Sequence, residues 1–150
     1  MRSAAQTVHT WGTMIKFSHS IFALPFALLA TFLAARPGTP TLTQVALIVG
    51  CMVAARSAAM TFNRIADARI DAANPRTANR PIPAGQISAG AAWLFFAAAS
   101  LAFFAGCAGF YVLDQNPWPL LLATPVLALL LFYSYTKRFT RWSHVVLGLG

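Results

Sequence analysis

The chain has 150 residues, of which 58% are hydrophobic and only 9% are charged. A soluble domain carries about 25% charged residues, so this composition excludes an ordinary soluble protein and indicates a membrane protein. The formal net charge is +8. It does not indicate a nucleic-acid partner, because the basic residues cluster between apolar runs, as in loops that face anionic lipid.

Four apolar segments follow one another along the chain, and each is long enough to cross a hydrocarbon core of about 30 Å as a helix. They cover residues 13–35, 41–62, 86–113 and 117–136, and a further apolar stretch begins at residue 145. Lipid offers no hydrogen-bond partner to free backbone groups, so these segments must be helical. The sequence therefore predicts an all-α, polytopic membrane helix bundle with four transmembrane helices and the start of a fifth.

The distribution of basic residues predicts the orientation in the membrane. If the segments alternate in direction, nine of the 11 basic residues lie on one side, and only Arg36, with Asp114, lies on the other. The nine are Arg2, Lys16, Arg64, Arg69, Arg76, Arg80, Lys137, Arg138 and Arg141. Because positively charged loops stay in the cytoplasm, we expect the N-terminus and the loop of residues 62–86 to be cytoplasmic.

Two of the three acidic residues lie four positions apart in residues 63–81, NRIADARIDAANPRTANRP. If the second helix continues past the membrane surface, Asn63, Asp67 and Asp71 share one face with Arg56. Like charges at this spacing repel, and Mg²⁺ would compensate, because it is usually held by one or two carboxylates plus substrate phosphates. Asn63 adds a carbonyl oxygen. The pattern predicts a metal–diphosphate site at the membrane surface.

The arginines near this acid pair allow two interpretations. A guanidinium matches the planar, bidentate geometry of a phosphate, which supports the metal–diphosphate site. In the alternative interpretation, Asp67 and Asp71 merely form ion pairs in a solvated loop. The candidate partners are then Arg64, Arg69 and Arg76.

Arg56 is a charged residue within an apolar segment. Such a side chain costs roughly 2.5–3.5 kcal/mol on insertion scales, so it is a functional candidate by default. Its guanidinium would hold the carboxylate of an aromatic acid deeper than the metal. A structural role, in which Arg56 reaches the interface or pairs with another helix, stays open.

The stretch NRIADARIDAANPRTANRPIPAG resembles the first aspartate-rich motif of the UbiA superfamily of intramembrane prenyltransferases, and most closely that of the 4-hydroxybenzoate polyprenyltransferases. The family pattern is Asn-Asp-x-x-Asp-x-x-x-Asp, followed by Arg-Thr-x-Arg-Pro. The matching residues are Asn63, Asp67, Asp71, Arg76, Thr77, Arg80 and Pro81. Position 64 is Arg rather than the commoner Asp. Residues 133–138, YSYTKR, resemble a second family signature, in which Tyr133 and Lys137 would contact diphosphate.

The resemblance implies transfer of a polyprenyl group from polyprenyl diphosphate to an aromatic acid such as 4-hydroxybenzoate, in ubiquinone or menaquinone biosynthesis at the bacterial inner membrane. Mg²⁺ would be held by Asp67 and Asp71, which would act in catalysis together with Asn63. The residues implied to bind substrate are Arg56, Arg76, Arg80, Tyr133 and Lys137.

The length of the chain qualifies this prediction. Family members are longer and carry a second aspartate-rich motif, which these 150 residues do not contain. We therefore expect residues 1–150 to be the N-terminal part of one membrane prenyltransferase domain, inactive without the second half. Two alternatives remain: a non-enzymatic membrane protein such as a transporter half, or another Mg²⁺-dependent lipid-linked transferase.

Overall fold

The computed structural model describes residues 4–139, with the side chains of residues 5–136 except that of His19. In this range it contains five helices and no strand. They are α1 (Ala4–Ile15), α2 (Phe17–Ala34), α3 (Leu42–Ala73), α4 (Ala89–Asp114) and α5 (Trp118–Phe139). The predicted fifth segment, from residue 145, lies outside the described residues.

Three of these helices, α3, α4 and α5, are long and apolar enough to cross a membrane, and α1 with α2 makes a fourth span if the bent pair counts as one. Large apolar side chains point outward from the bundle, with Phe22 74% and Leu94 73% exposed. Lipid covers such side chains at no cost. The predicted all-α, polytopic membrane bundle is confirmed.

Residues 13–35, which the sequence predicts as one helical segment, are divided between α1 and α2. The helix breaks at Lys16, which has a left-handed backbone with φ of 51°, and α1 and α2 are bent by 59° across the break. The bend lets α1 pack against the ends of α3 and α4. There Met14 is fully buried, and the Trp11 and Phe95 rings lie 4.8 Å apart. Tertiary packing therefore decides where this segment bends.

Helix α3 has 32 residues. At 1.5 Å per residue it is about 48 Å long, which exceeds a hydrocarbon core of about 30 Å. The condition stated for the second helix, that it continues beyond its apolar segment of residues 41–62, is met, because α3 runs to Ala73. The helix begins with a capping box between Thr41 and Gln44 and ends at Ala73. Asn74 is extended because Pro75 follows it.

Helices α3 and α4 form the most extensive helix contact of the described chain. They approach closely because Gly106 faces Cys51, and a Cβ atom at Gly106 would lie 2.6 Å from the Cys51 Sγ atom. The core beside this contact is built from Ala55, Ala58, Phe103, Cys107, Ala123 and Leu127. Small residues on facing helices are the usual means of close packing in membranes.

The acid pair, Asp67 and Asp71, lies at the end of the bundle where the C-terminal half of α3 meets α1, the start of α4 and the end of α5. Ring contacts join Trp11 to Phe95, and Phe62 to Tyr135 at 5.9 Å. The third acid, Asp114, lies at the opposite end of α4 and accepts a hydrogen bond of 3.1 Å from Gln44. We call the end defined by residues 63–88 the motif end.

Candidate functional site

A buried polar stripe runs along α3 towards the motif end. Thr61 is 0%, Arg64 7%, and Asp67 and Asp71 each 6% exposed. The spacings of three and four residues place these side chains on one face of the helix. Burying a charge is costly unless it is paired and hydrogen-bonded. The stripe therefore requires compensating charges, and its arginine and the following loop supply them.

The carboxylate of Asp71 is paired with Arg80. The Arg80 Nη1 atom donates to both carboxylate oxygens at 2.6 Å. The Asp71 side chain is 8% exposed and the Arg80 side chain 31%. The structure thus contains an aspartate–arginine pair, as the alternative interpretation expected, but the arginine is none of the three candidates considered. Arg80, which is predicted to bind diphosphate, is therefore bonded to Asp71, which is predicted to bind the metal.

The loop of residues 74–88 is folded back over the end of α3 by its own hydrogen bonds. Thr77 Oγ1 donates to the Asp71 carbonyl oxygen at 3.0 Å, and Asn74 Oδ1 accepts from the Arg76 backbone N–H at 3.0 Å. The backbone N–H of Ile87 donates to the Pro81 carbonyl oxygen at 3.0 Å. These bonds place Arg80 beside the acid pair and leave the Arg76 side chain exposed to solvent.

Arg64 is a site residue that the sequence analysis did not assign. Its Nε atom donates to the Met14 carbonyl oxygen at 3.4 Å. Burial and the nearby Arg80 disfavour its charge, and Asp71 and Asp67 offset part of that cost. From the sequence, Arg64 is a departure from the family pattern and a candidate ion-pair partner of the aspartates. Its spacing of three residues from Asp67 and seven from Asp71 could have indicated that Arg64 lies on the same helix face.

The donor set at the motif end fits a Mg²⁺ ion that is shared with a diphosphate. In residues 4–139 no group of three or more His, Cys, Asp or Glu side chains comes together. Asp67 and Asp71 instead offer two carboxylates, with the amide of Asn63 one turn earlier on α3. Mg²⁺ commonly takes one or two carboxylates and completes its shell with substrate phosphates and water. Asp71 would exchange its bond to Arg80 for the ion.

Arg56 lies deeper in the bundle than the acid pair. Its Nε atom donates to the buried Ser20 Oγ atom at 3.2 Å, which is its one side-chain hydrogen bond among the described residues. Arg56 borders a cavity of about 530 Å³ between α2, α3, α4 and α5. The apolar walls include Ala27, Met52, Phe103 and Leu130. The cavity therefore combines one guanidinium with an apolar lining.

The two predicted residues of α5, Tyr133 and Lys137, lie in the C-terminal part of that helix. The Tyr133 side chain is half-buried, and its backbone carbonyl accepts a hydrogen bond of 2.9 Å from Thr136 Oγ1. The Lys137 side chain lies outside the described side chains. The assignment of both residues to diphosphate stays a prediction.

The fold and this site define an integral membrane protein with a charged site at one end of an apolar helix bundle. The model of the UbiA prenyltransferase family matches residues 23–150. The chain therefore belongs to the UbiA prenyltransferase family. The resemblance stated for residues 63–85 and 133–138 is confirmed at the level of the family.

Curated relatives carry the name 4-hydroxybenzoate octaprenyltransferase. The relative from Pseudomonas fluorescens (strain Pf0-1) is 34% identical over 128 residues, which are 85% of this chain and 42% of the relative. The relative from Enterobacter sp. (strain 638) is 39% identical over 115 residues, 76% of this chain and 38% of the relative. The chain thus spans about two-fifths of the length of these relatives.

A solved structure is similar to this chain. It is described as the apo structure of a UbiA homolog from Aeropyrum pernix K1, with a TM-score of 0.78 and 40% sequence identity. The match covers 87% of this chain and 45% of the solved one.

Proposed function

We propose that residues 1–150 provide the first aspartate-rich motif of an enzyme that transfers a polyprenyl group from polyprenyl diphosphate to an aromatic acid. The favoured acceptor is 4-hydroxybenzoate, and the product would enter quinone biosynthesis. The observation that carries this proposal is the buried acid pair, with Arg80 on Asp71, in a member of a prenyltransferase family. The names of the curated relatives support the choice of acceptor.

At the motif end, Asp67, Asp71 and the amide of Asn63 would hold Mg²⁺. The ion supplies, when bound, positive charge that stabilises the leaving diphosphate. With the Asp71 carboxylate on the ion, Arg80 would be available to bind a diphosphate oxygen. Arg76, exposed on the same loop, would add a second guanidinium.

In the proposed reaction, the allylic carbon of the prenyl group loses its bond to the diphosphate oxygen and gains a bond to a ring carbon. The bond between the allylic carbon and the diphosphate oxygen breaks, and its electron pair leaves with the diphosphate. A carbon of the electron-rich aromatic ring attacks the allylic carbon, and the ring then loses a proton. The apolar walls beside Arg56 exclude water, which would otherwise capture the allylic cation.

Arg56 would bind the carboxylate of the acceptor. Ser20 accepts a hydrogen bond from the Arg56 Nε atom and so orients the guanidinium. The acceptor's carboxylate would bind the two terminal nitrogens without displacing that bond. A carboxylate accepts two parallel hydrogen bonds from a guanidinium, and the apolar cavity walls would contact the aromatic ring. This arrangement favours a flat aromatic acid over a neutral acceptor.

The proposed setting is the bacterial inner membrane, with the motif end in the cytoplasm. The excess of basic residues on the predicted cytoplasmic side supports this orientation. A transporter half would need no divalent cation and would transfer no prenyl group. Mg²⁺-dependent turnover therefore separates the proposal from this alternative. A Mg²⁺-dependent transferase of another lipid-linked group would not prenylate 4-hydroxybenzoate.

The test uses membranes that contain the chain, alone and co-expressed with the remaining C-terminal part of the Pseudomonas fluorescens relative. Farnesyl diphosphate and labelled 4-hydroxybenzoate are supplied with Mg²⁺ or with EDTA. We expect Mg²⁺-dependent transfer with both parts present. Asp67→Asn should lower the rate by about 100-fold or more, since removing one group that stabilises developing charge typically costs about 10²–10³.

The matched control is Asp114→Asn, which removes the one acidic side chain outside the acid pair, at the opposite end of α4. It should retain the wild-type rate. Normal turnover by a well-expressed Asp67→Asn protein would contradict the proposed site, and turnover in EDTA would contradict the metal.

A further inference from the structure

The C-terminus of α1 leaves backbone carbonyl groups without donors from its own helix. Met14 is the penultimate residue of α1 and is fully buried, so its carbonyl oxygen is shielded from water and needs a donor from the protein. Arg64 of α3 provides it through Nε, at 3.4 Å. An arginine at a helix C-terminus also faces the negative end of the helix dipole. Arg64 thus caps α1 from a neighbouring helix.

The same guanidinium belongs to the charge balance of the acid pair. Arg64 is only 7% exposed, and its position three residues before Asp67 and seven before Asp71 places it on their face of α3. Burial and the charge of Arg80 disfavour the charged guanidinium, and Asp71 and Asp67 offset part of this cost. A buried guanidinium is stable only with such compensation. Arg64 is therefore shared between α1 and the acid pair.

We propose that Arg64 is a positioning residue that couples the docking of α1 to the charge state of the acid pair. The part of this inference that concerns cation binding rests on the proposed function. A divalent cation on Asp67 and Asp71 repels the guanidinium and so weakens its bond to the Met14 carbonyl. By linkage, a docked α1 weakens cation binding by the same factor. Removing Arg64 frees α1 and strengthens cation binding.

The experiment uses the full chain in lipid nanodiscs and two readouts. Amide hydrogen exchange of α1 is measured in EDTA, and Mn²⁺ affinity is measured by electron paramagnetic resonance. Arg64→Met keeps a long apolar stem but removes the charge and the donors. Arg64→Lys keeps a charge and a donor. Arg69→Met, an exposed arginine on the same helix, removes an equal charge and is the matched control.

We expect Arg64→Met to speed α1 exchange about tenfold, the effect of losing one charge-assisted hydrogen bond. Exchange in α4 should be unchanged, because the buried contacts of α3 with α4 remain. The same variant should bind Mn²⁺ about tenfold more tightly, since a nearby like charge is removed. Arg64→Lys should stay near wild type in both readouts, and Arg69→Met should change neither by more than about twofold, because exposed charges are screened.

A second variant tests the linkage without changing any charge. Met14→Ala removes the buried anchor of α1 and should also tighten Mn²⁺ binding, whereas Val8→Ala, at a position that is 72% exposed, should not. Unchanged α1 exchange in Arg64→Met, or weaker Mn²⁺ binding in Arg64→Met or Met14→Ala, would overturn the inference. A wild-type chain that binds no Mn²⁺, even with farnesyl thiodiphosphate, contradicts the proposed metal site and the linkage, and α1 exchange alone then decides whether Arg64 holds α1.

Discussion

Two charged residues of the candidate site, Asp71 and Arg56, are each held by one or two neighbours. Asp71 is held at its backbone by Thr77 and at its carboxylate by Arg80. Arg56 is held by Ser20, from a different helix. For the proposed function, such contacts would orient the charges before substrate binds and so reduce the free-energy cost of binding.

Replacing Arg80 tests the strength of its contact with Asp71. Arg80→Met leaves a buried carboxylate without its ion-pair partner, and such a loss costs about 1–3 kcal/mol. We expect a lower midpoint of thermal unfolding in detergent. Arg76→Met, which removes an exposed arginine from the same loop, should leave the midpoint unchanged. Equal midpoints for the two variants would show that the pair does not stabilise the loop.

Replacing Arg56 tests the proposed acceptor site. Arg56→Ala, in the co-expressed enzyme, should raise the KM for 4-hydroxybenzoate by about 10- to 100-fold, since hydrogen bonds to charged groups contribute about 1.5–3 kcal/mol. The KM for prenyl diphosphate should change little. Ser20→Ala should give a smaller effect in the same direction, because only the orientation of the guanidinium is lost. Equal losses for both substrates would favour a structural role for Arg56.

At the scale of the helices, α3 provides both the deep and the shallow parts of the site. Its length places Arg56 within the bundle and the acid pair at the motif end, and its contact with α4 fixes its position. Gly106 allows that contact because its missing Cβ leaves room for the Cys51 thiol. The position of the carboxylates therefore depends on a glycine far from them along the chain.

Adding a methyl group at Gly106 tests this packing. A Cβ atom 2.6 Å from the Cys51 Sγ atom forces the thiol or the two helices to shift, and overpacking of this kind costs about 1–3 kcal/mol. Gly106→Ala should therefore lower the unfolding midpoint relative to Gly90→Ala, on the same helix, where nothing lies within 4 Å. Combining Gly106→Ala with Cys51→Ala should restore much of the loss. Failure of that combination to restore it would contradict the packing argument.

At the scale of the whole molecule, these charged residues lie at the two ends of the bundle. The acid pair, Arg64 and Arg80 lie at the motif end, and Asp114 lies at the other. The outward side chains between the two ends are apolar, as lipid requires. The proposed orientation then places every charge of the motif end on the cytoplasmic side.

Cysteine labelling of spheroplasts checks this orientation. Thr39→Cys and Asn79→Cys place a thiol at an exposed position of each of two loops. A membrane-impermeant maleimide should label Thr39→Cys in intact spheroplasts and Asn79→Cys only after permeabilisation, since positively charged loops remain inside. The wild-type chain, with Cys51 and Cys107 inside the helices, serves as the background. The reverse labelling pattern would contradict the proposed orientation.

The sequence alone determined the helical membrane class, the extension of α3 and the residues of the motif. Apolar runs of sufficient length must be helical in lipid, and the three-or-four spacing of Asn63, Asp67 and Asp71 fixes a shared helix face whatever the tertiary fold. Pro75 likewise ends α3 through local sterics. These features depend on neighbours along the chain, and such neighbours are visible in a sequence.

Only the tertiary structure decided which groups meet across helices. The break at Lys16, the bond from Arg64 to Met14 and the bond from Arg56 to Ser20 join residues whose distance along the chain carries no periodic signal. Several arginines follow Asp71, and the folding of residues 74–88 selected Arg80 from among them. The physical reason is that buried charges and orphan carbonyls take the partner that packing brings within reach, and packing is a property of the whole bundle.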